Sequence, residues 1–301
     1  MLDVASMHPQ LQPHGLSLNY FAMVSHLKNK ANTALLRVFD ASEYASYLVG
    51  NTTSGMVSIL QAAAQCGCAV SLQGDDSQHY PPYLNLFKNK NISAEWHVHT
   101  HLSPVTGVVD RLCRNNAEVL IVDAAQSFGT CLTPQLLQQA DVVIAPLHKH
   151  VGLVVGLAMV WVKKNIRHFS AMNEILNISQ AGCTSLYVLK CLHKRLEKYD
   201  SHISNKAMLL SNKENRSWCM DRGLSICGNL DSAPFICLTT INGESVQNAL
   251  KPGSWKYFKS FNTARFSFYF RGKMSDSPAD FSEQFKTEID GLLKANNKNS
   301  N

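Results

Sequence analysis

The chain has 301 residues, 45% of them hydrophobic and 17% charged, the make-up of an ordinary soluble globular protein with room for one large domain and a smaller one. The formal net charge of +6 is spread over scattered Lys and Arg, and Lys88 to Lys90 and Lys163-Lys164 are short runs, so nucleic acid is not an expected partner.

The N-terminus has neither a charged leader nor a long apolar run, so no signal peptide is expected. The most apolar stretch, Leu153 to Val162, is of strand length and is interrupted by Gly156, so no membrane partner is expected. The nine Cys form no CxxC pair; Cys66 and Cys68 come nearest. Most others sit in apolar runs, which predicts reduced, buried thiols and a cytoplasmic protein.

The first strand is predicted over Ser46 to Val49, followed by a helix over Ser54 to Gln65. Cys68 to Leu72 is the next strand, with a helix from about Pro82. Glu95 to His99, Val119 to Asp123, Val142 to Ala145 and Gly156 to Val162 are further strands. This alternation predicts an α/β fold: a mostly parallel central sheet with helices on both faces. A long amphipathic helix runs from Ser185 to about Tyr199. The pattern then changes. Strands at 225–227, 235–240 and 265–270 alternate with helices near 246–250 and 281–293. The expected division is a large domain over 1–200, including an N-terminal arm, and a small α+β domain over 201–301, with a polar tail at 296–301.

Two segments carry the chemistry. The strand ending at Asp123 is followed by Gln126, and the strand after Asp141 leads through Pro146 to His148-Lys149. An Asp and a His-Lys pair in this order and spacing, each closing an apolar strand, resemble the class V aminotransferase family of fold-type I pyridoxal-phosphate enzymes. That group includes cysteine desulfurases, kynureninases and isopenicillin-N-epimerase-like proteins. The resemblance runs from about Leu18 to Lys294 and is strongest from Val49 to Val162.

The resemblance implies pyridoxal 5'-phosphate as cofactor, joined to Lys149 as a Schiff base. Asp123 would meet the protonated ring nitrogen, and Gln126 would bind the phenolic oxygen. Thr52 or Thr53, where a strand gives way to a helix N-terminus, would hold phosphate with His148. His79, or else Tyr80, would stack on the ring. Ser103 would reach toward the cofactor hydroxyl or the substrate. Thr184, in a segment like the one that reaches a neighbouring subunit's phosphate, is either that contact or a helix cap. Arg265, in Arg-Phe-Ser, would bind the substrate α-carboxylate with its bidentate fork, with Arg271 as the competing choice. One departure stands out. The family often carries Ser or Thr three residues before the lysine, and here that position is Pro146, which has no donor.

These residues imply an enzyme acting on an amino acid, nominally an aminotransferase, and a homodimer. A lyase, epimerase or decarboxylase needs a second acid or base. His97, His99 and His101, alternate residues on one strand face, could supply it. They could also suggest a metal, but no carboxylate stands beside them in sequence and no metal is expected. A desulfurase would need a Cys shortly before Arg265, and none occurs between Cys237 and Arg265. A catalytically idle relative that keeps the fold is the remaining alternative.

Overall fold

A computed structural model describes residues 20–87, 94–149, 151, 153, 156–180, 184–197, 210–250, 255–267 and 278–297. The first helix, α1 (Tyr20–Val38), leads into a six-stranded sheet. Its strands are β1 (Tyr44–Val49), β2 (Val70–Leu72), β3 (Trp96–Thr100), β4 (Val119–Asp123), β5 (Val142–Pro146) and β6 (Ala158–Lys163). Their spatial order is β1-β6-β5-β4-β3-β2. The run from β2 to β5 is parallel, and β6 is antiparallel to both of its neighbours.

The sequence rhythm does not reveal the reversed strand. Only residues 147–157 separate β5 from β6, too few for the helical crossover that parallel neighbours require. Nor does it reveal α1, whose buried face mixes Val24, Ala31 and Leu35 with Lys28 and Asn32. Those two polar residues are buried because they are bonded: Lys28 to the Gln180 carbonyl, and Asn32 Oδ1 to the Ser46 hydroxyl at 2.9 Å.

Alternation along the strands sorts the core onto two faces. Leu120 and Val122 of β4 and Val143 and Ala145 of β5 share a cluster with α1 residues and with Leu189 and Leu192 of α6 (Leu186–Glu197). Val119 and Ile121, with Val142 and Ile144, pack on the other face with Met56 and Ile59 of α2 (Thr52–Gln65) and Met172 and Leu176 of α5 (Phe169–Gln180). Helix α2 lies very close to that face. A Cβ on Gly55 would fall 2.8 Å from Ile144 and 2.9 Å from Val160, so only glycine fits.

A second, four-stranded antiparallel sheet has the order β11-β12-β10-β8, from Lys256–Phe258, Thr263–Ser267, Phe235–Thr240 and Leu224–Ile226. A separate core forms on it with Cys219 of the helix Asn212–Met220 and Phe285 and Ile289 of the helix Pro278–Asn297. That last helix takes in Asn296 and Asn297 of the polar tail, while 298–301 lie outside the described residues. Eight cysteines are described, all free: Cys219 and Cys237 are buried, Cys113 is exposed and the rest are half-buried. The thiols are thus less uniformly buried than their apolar neighbours in sequence suggest. No described helix is long and apolar enough to cross a membrane.

Candidate active site

A cavity of about 470 Å³ opens where the C-terminal ends of β3, β4 and β5 meet the N-terminus of α2 and the edge of the second sheet. This is where an open α/β sheet offers a crevice, since strand ends and helix N-termini converge there. Thr100, Asp123 and Pro146 line it from the three strand ends; Lys149 and His148 follow β5; Lys256 and Arg265 come from β11 and β12.

Asp123 ends β4 on the face that carries Val119 and Ile121, the α2 side. Its Oδ1 accepts the Ala125 N–H at 2.8 Å. Burial pushes its carboxyl up to about 6, against the Ala125 bond and the Lys149 charge, which both pull it down. Lys149 moves the opposite way. Burial and then the Arg265 charge bring it down to about 8; Asp123 raises it and Lys256 lowers it further. A half-buried amine of lowered pKa in one cavity with a buried acid is an arrangement proteins make at sites of chemistry.

The α2 end leaves backbone donors facing the cavity. Asn51 is the N-cap. Its side chain accepts the Ser54 N–H at 2.8 Å, and the Ser54 hydroxyl takes the Asn51 N–H at 3.1 Å. That reciprocal cap uses two of the orphan donors and leaves the N–H groups of Thr52 and Thr53, which have no partner within the helix. Both threonines line the cavity. So does Tyr83, nearly fully buried, whose hydroxyl bonds Thr52. His148 sits on the exposed rim, and partial loss of water and then the Lys149 charge lower its pKa. Gln126 is buried and lines the wall.

Several expected residues are placed elsewhere. His79 does not line the cavity; it is fully buried, with Nδ1 2.9 Å from the Thr100 hydroxyl. Tyr80, the second choice, does line it, because the turn before helix α3 (Pro81–Leu86) sends successive side chains in different directions. Ser103 is also off the cavity. Its hydroxyl donates to the Ser77 carbonyl at 2.7 Å and accepts from Val105 and Thr106, so it holds a turn, and its neighbours Leu102 and Pro104 line the wall. Thr184 is half-buried and does not line this chain's cavity; the neighbouring Ser185 carbonyl accepts the first helical bond of α6, from Leu189 at 3.1 Å. Arg271 lies outside the described residues.

The histidine trio does not reach the cavity either. His97 bonds Gln73, and His99 and His101 are buried on the far side of β3 from Thr100. Burial lowers both, His101 to about 4, against the pull of Asp110, whose Oδ2 lies 3.7 Å from His99 Nε2. Sequence spacing gave the correct common face and no information on what lay beyond it. Elsewhere, Cys68, Glu118 and His168 bring ligand-type atoms within 4.8 Å of one another. Glu118 Oε1 meets both Arg167 at 3.1 Å and His168 at 3.2 Å, an ion-pair network that accounts for the grouping.

The sequence reading also missed Lys256, Tyr83, Thr100 and the capping role of Asn51. Asn51 had a local signal, an Asn with Ser three residues on. Lys256 had none, since its place follows from strand pairing.

The six-stranded sheet, its flanking helices and the crevice at its strand ends make this the fold of the fold-type I enzymes. Solved structures of that fold superpose on most of the chain. An alanine–glyoxylate aminotransferase from Nostoc sp. is 14% identical with a TM-score of 0.65, covering 96% of this chain and 89% of its own. A subgroup IV aspartate aminotransferase from Thermus thermophilus is 13% identical at 0.66, over 95% and 97%. A Catharanthus roseus tryptophan decarboxylase, solved with L-tryptophan, is 12% identical at 0.63, over 92% and 76%. The chain itself belongs to a family of unknown function (DUF6024), whose profile matches residues 2–295. No curated protein sequence matches it.

Proposed function

We propose that the chain is a pyridoxal-phosphate-dependent enzyme acting on the α-carbon of an amino acid, nominally an aminotransferase. The observation that carries this reading is the pairing of buried Asp123 with half-buried Lys149 in one cavity with the free N–H groups of α2. The donor set fits the group: a cradle for a phosphate, an amine for an aldehyde, and a carboxylate for a basic ring nitrogen. When bound, pyridoxal phosphate supplies an aldehyde that captures amines and a protonated ring that draws electrons from the substrate's Cα.

This chain's residues divide the work. Thr52, Thr53 and His148 would hold the phosphate, and Gln126 would meet the ring oxygen. Asp123 holds the ring nitrogen; a cation there would bring its raised pKa down again. Lys149, with its pKa brought down to about 8, would anchor the aldehyde and would be the base for the proton at the substrate Cα. Arg265 is a fixed cation. Its Nη1 donates to the Pro104 carbonyl at 2.8 Å, and its Nε is buried with no partner. A substrate carboxylate would satisfy that donor.

A lyase, epimerase or decarboxylase stays the alternative reaction class, without the histidines of β3 as its second base. We also propose a homodimer with the site near the interface. The support is the thin phosphate cup that Pro146 leaves and the position of Thr184 outside its own chain's cavity; light scattering that finds a monomer at full cofactor occupancy would sink it. The test of the main reading is borohydride reduction of protein loaded with pyridoxal phosphate. The wild type should retain the cofactor covalently on Lys149, and Lys149→Ala should not. An adduct on a different lysine refutes the assignment.

A further inference from the structure

Lys256 and Arg265 are directly opposite one another in the antiparallel pair β11–β12. Like charges in that position repel, and sheets normally place an acid nearby. Among the described residues no carboxylate forms an ion pair with either side chain. The two cations are held by rings instead. Lys256 Nζ lies 5.0 Å from the centre of Phe258 and 5.7 Å from that of Tyr80. Arg265 Cζ lies 5.4 Å from Phe258 and 5.3 Å from Phe235. Ring faces stabilise a cation but do not neutralise it.

Both cations line the main cavity, together with Lys149, and among the described residues of that wall Asp123 is the only carboxylate. The phosphate cradle is a different part of the wall, at the α2 end. The excess positive charge therefore sits on the substrate side and exceeds what one α-carboxylate would balance. Lys256 also lines an adjoining cavity of about 260 Å³, shared with Tyr80 and the segment Tyr257 to Phe261. A side chain leaving a carboxylate on Arg265 would pass Lys256 on its way there.

We propose that Lys256, acting beside Arg265, selects an amino acid whose side chain bears a second anionic group, a carboxylate or a phosphate. This rests on the reading of the cavity as an amino-acid site. Partial loss of water, and then the Arg265 charge, already lower the pKa of the exposed Lys256, and an anion between the two would reverse that.

The test has two arms. In the first, cofactor-free protein is titrated calorimetrically with succinate and with propionate. Succinate should bind at least ten-fold tighter; Lys256→Gln should abolish that ratio and Lys256→Arg should keep it. Equal binding of the two acids by the wild type, or a ratio that survives in Lys256→Gln, overturns the proposal. In the second arm, protein loaded with pyridoxal phosphate is titrated with L-alanine, L-aspartate, L-glutamate and O-phospho-L-serine, followed by the visible band. A preference for the acidic three supports the proposal, and their order tells carboxylate from phosphate; a preference for alanine overturns it and leaves the cofactor reading standing. Failure of the protein to take up the cofactor, with the succinate preference intact, sinks the cofactor reading and leaves the anion pair standing.

Discussion

Asp123 and Lys149 lie within electrostatic reach of each other, and no salt bridge among the described residues joins them. Each charge offsets only part of the other's burial. Each is left poised by burial, the acid raised and the amine lowered, with the cavity between them. That tension has measurable consequences in the protein without cofactor.

Lys149→Met should stabilise the cofactor-free protein, in a pH-dependent way. The folded pKa of Lys149 is about 8 against an ordinary 10.5. Between those values the unfolded chain binds a proton that the folded chain does not, so wild-type stability rises with pH across that window. The gain from Lys149→Met is therefore full below pH 8 and fades as pH approaches 10.5. Thermal melts of both proteins from pH 7 to 10.5 would show it; a difference that stays constant with pH would mean that Lys149 is not desolvated in the folded state.

Gly55→Ala sets two effects against each other. Alanine is the better helix former by about 1 kcal/mol. The added methyl, however, would meet Ile144 at 2.8 Å and Val160 at 2.9 Å, both in the packed face of the sheet. Overpacking of that kind costs about 1–3 kcal/mol, so packing wins and the variant should be less stable. Because α2 would be pushed off the sheet, its N-terminus should move with it and cofactor affinity should fall as well. A denaturant midpoint at or above that of the wild type would show that the helix–sheet contact is looser than described.

Arg265→Ala should separate cofactor binding from substrate binding. The residues that hold the cofactor are left in place, so the visible band of the loaded protein should persist. Amino-acid binding should weaken by about 1.5–3 kcal/mol, the size of a hydrogen bond to a charged group, or about ten- to a hundred-fold in the concentration needed to shift that band. Loss of the Arg265 charge also removes one of the causes lowering Lys149, so the pH midpoint for cofactor capture should move upward. An unchanged amino-acid titration would mean that the carboxylate is held by another group.

What the sequence determined by itself is what short-range pattern can encode. Alternation along β4 fixed that Asp123 shares a face with Ile121, and the apolar run of β5 fixed where the chain turns toward His148 and Lys149. The strand-to-helix junction at Asn51 fixed an anion cradle, since the cap and the free N–H groups are properties of one turn of helix. The tertiary structure alone decided everything that depends on which strands lie side by side. It reversed β6, because too few residues lead into it for a crossover. It buried Lys28 and Asn32 of α1 by giving each a partner distant in sequence. It turned His79 and Ser103 away from the cavity and Tyr80 toward it. It also set Lys256 across from Arg265, two residues whose local sequences say nothing of each other. Hydrogen-bond register between strands, which no single segment carries, made them one site.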